Sequence, residues 1–202
     1  MQRIVALMAG LFLLAGCGSD EAPVAGSAGA PSTAAQAQNQ DQGQAQGQGQ
    51  EHNDVDVMFL QMAVPHHRQG LELARLAKER AVRPDVKTLA AAIESTQQSE
   101  VDSMTKWLAD WGKPETAPDA QLHAAHGGDH STKPEFIAEV AGKTGAEFER
   151  DFLNLMIAHQ HNAVEIAKLE REGGLHPPSK ELAERIFQSR TAQISQMLGF
   201  LG

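Results

Sequence analysis

Residues 59–109 and 152–202 are one segment written twice, at a constant offset of 93 and without a gap. Phe59-Leu60 recurs as Phe152-Leu153, His66 as His159, and Glu72, Ala74 and Leu76 as Glu165, Ala167 and Leu169. Further along, Pro84, Leu89, Ala90, Ile93, Met104 and Leu108 recur as Pro177, Leu182, Ala183, Ile186, Met197 and Leu201. A chain built this way must make the same substructure twice and bury the apolar faces of both copies. Most of the shared residues are packing residues that any duplicated fold keeps. A histidine repeated on an apolar stripe is not, so His66 and His159 are where chemistry is expected.

Hydrophobic periodicity fixes the type of substructure. In the first copy Phe59, Met62/Ala63, His66, Gly70, Leu73 and Ala77 fall at steps of three and four, one face of a helix from about Asp54 to Arg80. Pro84 breaks that pattern and suits the first turn of a second helix, about Asp85 to Trp111, which Gly112 and Pro114 stop. Its stripe carries Leu89, Ile93, Gln97, Glu100/Val101, Met104 and Leu108. A loop over 113–144 follows, with a short helix expected around Pro134–Ala141. The third helix, about Thr144 to Glu172, opens on Thr144 with Glu147 three residues on, the pattern of a capping box. Its stripe is Phe148, Phe152, Leu155/Met156, His159, Ala163, Ile166 and Leu169. Gly173-Gly174 end it, and a fourth helix runs from about Ser179 to Leu201. No stretch alternates at period two. Two similar helical hairpins packed together make an antiparallel four-helix bundle over 54–202.

The start of the chain reads as an address. Arg3, an apolar run from Ile4 to Leu14 and Leu14-Ala15-Gly16-Cys17 resemble a lipoprotein signal ending in a lipobox, so 1–17 would be removed up to a lipidated Cys17. The run is about half the ~20 residues a membrane span needs. Gly18 follows the cysteine, which by resemblance does not mark inner-membrane retention. Residues 18–53 are rich in Gly, Ala, Gln and Ser and lack Lys and Arg. Such a segment cannot offset its ordering entropy and is expected to be a disordered tether spanning on the order of 35 Å. The chain would thus be exported and held on the periplasmic or extracellular side of a membrane.

Composition then excludes whole classes of chemistry. Cys17 is the only cysteine, so a lipidated protein would have no thiol for a disulfide, thiolate site or nucleophile. The net charge of −9 offers no basic stripe for nucleic acid. A soft metal would have to be held by the nine histidines and seven methionines.

The core candidates are His66 and His159, which a pseudo-twofold axis between the hairpins would bring together. Buried imidazoles stay neutral, share a hydrogen bond or bind a cation. His67, Met62 and Met156 stand close enough along the helices to complete a shell, with Met104 and Met197 nearby and Glu72 and Glu165 as outer or surface groups. Pro65 should loosen the helix beside His66. In the alternative reading, Gln97 and Glu100 satisfy the histidines as ordinary core residues. The loop carries His123, His126 and His130 around Gly127-Gly128, a small exposed metal-capture patch or a polar linker. His52 and His176 are expected to face solvent, and His161 to be exposed where it could pair with Glu165.

Phe59 to Ala74, with Met62-Ala63-Val64-Pro65-His66-His67 before Gly70 and Glu72-Leu73-Ala74, resembles the signature of the domain of unknown function 305 family. Met156-Ile157-Ala158-His159-Gln160-His161 resembles its second helix pair, and Gln97 to Val101 with Met104 and Trp107-Leu108 its second-helix ending. The resemblance covers about 54–202. It implies a ferritin-like four-helix bundle, usually exported, with some members binding copper in the periplasm and linked to metal tolerance. Gln160 departs from the pattern in place of a histidine, as do Ala63, Leu73 and Ile166 in place of methionine. Fewer thioethers weaken a copper(I) site and leave imidazole sites for copper(II) or zinc open.

Three functions compete on these grounds. The leading one is a tethered lipoprotein that binds metal ions, copper first and zinc as the alternative, in sequestration or tolerance. The second is a non-catalytic structural or protein-interaction bundle. The third, a di-metal oxidoreductase, would need Glu-x-x-His motifs. Ala63 and Met156 stand where those glutamates belong, so an enzyme is not expected.

Overall fold

The computed structural model describes residues 51–117 and 130–202. The lipobox with Cys17, nearly all of the tether, and His123 and His126 lie outside the described residues. Five helices are described: α1 (Asp54–Arg80), α2 (Pro84–Asp110), α3 (Pro134–Ala141), α4 (Gly145–Gly173) and α5 (Pro177–Leu201). The four long ones form the expected all-α bundle of two hairpins, α1–α2 and α4–α5, joined mainly through α1 against α4. By contrast α2 and α5 scarcely touch. Among the described residues no helix is long and apolar enough to cross a membrane.

The helix boundaries have local causes. Asn53 caps α1, its side chain accepting from the backbone N–H groups of Val55 and Asp56, while Asp56 accepts from Asn53 N. This reciprocal box satisfies donors that a helix start leaves orphaned. Asn53 thus belongs to the packed structure ahead of the boundary expected at 54, and so does His52, which stacks on Trp111 with ring centroids 4.1 Å apart. α1 runs through Pro65 without interruption. α2 and α5 both start on proline, whose missing N–H costs nothing at a first helical turn. Gly112, at φ 64°, supplies the left-handed turn that closes α2. At α4 the expected capping box does not form: Thr144 makes no side-chain cap, and Glu147 lies near Lys143 instead.

The two hairpins are latched to each other by the duplication itself. Asp56 on α1 accepts from the backbone N–H of Leu175 and His176, in the turn between α4 and α5. Ninety-three residues on, Glu149 on α4 accepts from Val82 and Arg83, in the turn between α1 and α2, and binds the Arg83 guanidinium. Each copy's first helix thus satisfies the turn of the other copy. Burial pushes both carboxyls up, but hydrogen bonds outweigh it and hold them below the usual range: the Glu170 carboxyl and then the backbone N–H groups for Asp56, the turn N–H groups and Arg83 for Glu149.

The core is divided along the bundle. One apolar cluster packs Phe59, Leu60, Val101, Met104 and Leu108 against Ile166, Leu182 and Ile186. The other packs Leu73, Val86, Ile93, Phe148, Phe152 and Met156 against Met197. Each buried Leu or Phe in them contributes about 1.5–3 kcal/mol by leaving water. At mid-height between the two clusters the same inward stripes carry polar residues.

Candidate metal centre

The mid-height layer is assembled from repeat-related positions. His66 and His159 meet across the axis as expected, with ring centroids 3.8 Å apart and planes 13° from parallel. Around them the offset of 93 pairs His67 with Gln160, Gln97 with Arg190, and Glu100 with Gln193. One half is charged: His67 Nε2 lies 3.0 Å from Glu100 Oε2, and the Arg190 guanidinium binds the same oxygen. The other half holds neutral amides, Gln160 Nε2 donating to Gln193 Oε1 at 2.5 Å.

Donor atoms in this layer are left over. Both ring nitrogens of His66, Nε2 of His159 and Oε1 of Gln97 are buried with no hydrogen-bond partner. His159 Nδ1 pairs with Thr132 Oγ1 at 2.8 Å. With the proton on Nδ1, that bond leaves the Nε2 lone pair facing the layer. Gly70 makes the close approach possible, because a Cβ there would lie 2.7 Å from His159 Nε2 and 2.2 Å from Gln97 Oε1.

Electrostatics keep both rings uncharged. Burial first, then the neighbouring rings of His159 and His67, the Arg190 guanidinium and His130, hold His66 well below the histidine range. His159 is pulled down to about 3, by burial first and then by His67 and Arg190. His67 is lowered by burial despite its pairing with Glu100. Burial raises the Glu100 carboxyl, but the His67 hydrogen bond and Arg190 outweigh it, so the carboxylate is ionised. Neutral imidazole is the form that binds metal.

The layer is closed on one side and open on the other. Gln69 and its repeat counterpart Asn162 hold the strand of loop at 130–132 across the α1–α4 face. Gln69 Nε2 donates to Thr132 O at 3.0 Å, and Asn162 Nδ2 to His130 O at 3.1 Å. Between α2 and α5 lies a groove of about 710 Å³ lined by Ser95, Ser99, Ser103, Arg185 and Gln188, with Glu100 shared between groove and layer.

Several sequence expectations change here. His66 and His159 are buried, and so, as fully, are His67 and His176. His176 does not face solvent: it caps α5 through Ser179 and lies edge-on to Trp107 and Trp111. His52 is only half exposed, under the stack with Trp111. His161 is exposed as expected, but Glu165 pairs with Lys168 rather than with it. Glu72 is exposed. Met62 and Met104 sit in one apolar cluster and Met156 and Met197 in the other, the nearest of them one helical turn from the histidine pair. Arg190 and Thr132 were not anticipated at all.

A model of the domain of unknown function 305 family matches residues 56–201. A member of that family from Streptomyces coelicolor, named as secreted, superposes with a TM-score of 0.69 at 25% identity, covering 73% of this chain and 91% of its own. A fragment from Deinococcus radiodurans gives 0.64 at 29% identity, covering 74% and 97%. CopM in its Cu(II)-bound form gives 0.62 at 28% identity, covering 72% and 95%, and its Cu(I)-bound form gives 0.59 at 27%. Among curated proteins none matches.

Proposed function

The chain belongs to the domain of unknown function 305 family, and we propose that it is a non-catalytic, exported metal-binding protein that takes up copper at the His66–His159 pair. The carrying observation is the set of unpartnered donors in a buried core: three imidazole nitrogens on two neutral rings beside the Gln97 carbonyl oxygen. His67 and His159 each hold one hydrogen bond, through Nε2 to Glu100 and through Nδ1 to Thr132, whereas His66 holds none, and an unmet buried polar group costs about 1–3 kcal/mol. The copper- and silver-bound forms of CopM, structurally similar to this chain, support the same reading.

The geometry also defines what binding requires. Imidazole lone pairs lie in the ring plane, so two nearly parallel rings do not aim at one point. For a shared ion one ring must turn. His66 is the ring free to do so, since neither of its nitrogens holds a bond, while Thr132 fixes His159. Met62 and Met156, one turn away, are the thioethers within reach of a moving ring.

Replacing both His66 and His159 with Ala should remove one tightly bound copper or silver ion per chain, read by elemental analysis and titration of the purified protein. Weak binding by the His123/His126/His130 loop should survive. If the variant melts lower yet binds as much metal as the parent, the histidines are packing residues and the proposal fails. Anchoring through a lipidated Cys17 belongs to the same proposal, and changing Cys17 to Ser should move the protein out of the membrane fraction. Unaltered fractionation would remove the tether from it.

A further inference from the structure

Arg190 has no counterpart charge in the other half of the bundle, where the equivalent position is Gln97. Its side chain is 0% exposed. The guanidinium binds Glu100, lies 3.3 Å from His67 Nε2 and donates to Ser189 Oγ at 3.1 Å. Glu100 is the one carboxylate of the polar layer among the described residues, and Arg190 cancels it. A cation entering between His66 and His159 therefore meets a layer whose fixed charges sum to zero.

Charge number then matters more than ligand type. The cost of placing an ion in a low-dielectric interior grows with the square of its charge, so a divalent ion costs about four times a monovalent one. A free carboxylate would offset that difference. Here the carboxylate is already taken. We propose that Arg190 is a specificity-determining residue that biases the His66–His159 site towards monovalent soft cations, of the copper(I) and silver(I) kind, over divalent copper and zinc. The inference rests on the metal-binding reading above. It also runs against the expectation from the sequence that a methionine-poor site leans to copper(II) or zinc: fixed charge, rather than thioether count, sets the preference.

The repeat supplies the variants. Arg190→Gln copies Gln97 and leaves the layer at −1; Glu100→Gln copies Gln193 and leaves it at +1; the double variant is neutral again. Silver(I) and zinc(II), neither of which changes oxidation state on binding, are titrated into the full chain in chloride-free buffer. The core share is taken as the binding lost in a His66→Ala/His159→Ala background. One unit of layer charge acts on a divalent ion by one more charge–charge interaction than on a monovalent one. At a separation of about 6 Å and an effective dielectric near 20, that shifts the zinc-to-silver affinity ratio on the order of a hundredfold. The ratio should rise in Arg190→Gln, fall in Glu100→Gln, and return to the parental value in the double variant. Arg190→Lys, which keeps the charge and loses the planar fork, should also keep the parental ratio.

A ratio unchanged across the series overturns the role of Arg190 and leaves the metal site standing. Absence of any core share in the parent overturns both. If one single variant fails to fold, the other still decides, because its ratio must shift in the stated direction, and a shifted ratio in the double variant or in Arg190→Lys contradicts a charge-based mechanism.

Discussion

At the scale of single residues, Gly70 shows how tightly the polar layer is drawn. Glycine to alanine inside a helix ordinarily stabilises by up to about 1 kcal/mol. At Gly70 the new Cβ would fall 2.2 Å from Gln97 Oε1 and 2.7 Å from His159 Nε2, so both side chains must move. Overpacking of that kind costs about 1–3 kcal/mol. Gly70→Ala should therefore lower the melting temperature and weaken core silver binding, because His159 is displaced. Gly199→Ala, on the exposed side of α5 with nothing within 4 Å, should raise the melting temperature. Thermal melts of the two variants check this, and a Gly70→Ala protein as stable as Gly199→Ala would mean that the layer is looser than its distances imply. The meeting of His66 with His159 was legible from sequence because both sit on inward stripes at repeat-related positions. Arg190 was not. It lies four residues after Ile186 and four before Ile194, yet a long cationic side chain on a helix is normally solvated, and only its place opposite Gln97 marks it as inward. Thr132 carried no signal, since a loop has no period to place it.

The latches are a property of pairs of elements. Asp56 and Glu149 lie near the starts of α1 and α4 and each satisfies backbone donors in the other hairpin's turn. Asp56→Ala should leave the buried N–H of His176 and the part-buried N–H groups of Asn53 and Leu175 without their acceptor, lowering stability by about 2 kcal/mol. Glu149→Ala should cost a similar amount at the far end, about 40 Å away along a helix of 27 residues. Changes so distant should add, within about 0.5 kcal/mol. Urea unfolding of the two single variants and the double one tests this. A double variant much less damaged than the sum would show that the latches are not independent. Sequence periodicity placed the four long helices to within a few residues, because each apolar stripe is long and most ends are marked by proline or glycine. Caps were harder to read. The box expected at Thr144 and Glu147 matched a pattern, but a pattern does not say which acceptor the turn geometry reaches, and Asn53 with Asp56 formed the box instead. His176 was misjudged for a related reason. Beside Pro177 and Pro178 it looked like exposed turn, whereas the helix start that those prolines make is the place where a capping side chain turns inward.

For the molecule as a whole, the repeat specified two hairpins but not which helices press together, and the sparse α2–α5 contact that leaves the groove open appears only in three dimensions. Nor did the repeat explain Glu170, a buried acid at the place of Ala77 in the other copy. Its carboxyl is pushed up to about 9, by burial first and then by the Asp56 carboxylate beside it. The protonated form is thus the native one, while an unfolded chain ionises the same group near 4.5. Between those values the folded state holds more protons than the unfolded state, so the contribution of Glu170 is complete below about 4.5 and is lost as pH rises towards 9. The lowered groups act oppositely. Asp56 and Glu149 stabilise above the unfolded carboxylate range, and His176, lowered by burial first, stabilises above about 6.5, as do the neutral core histidines; all of this is lost as pH falls. The two trends cross near pH 7, where metal-free protein should be most stable, and the alkaline decline should follow a single proton, with a slope approaching 1.4 kcal/mol per pH unit. Glu170→Gln keeps the shape of the protonated acid but cannot ionise. Its urea midpoint should match the parent below about pH 4.5, exceed it increasingly from there towards pH 9, and show the same acid decline. If instead both proteins weaken equally between pH 7 and 9, Glu170 is already ionised in the native bundle, and the close approach of its carboxyl to Asp56 must be balanced by a cation rather than by a proton.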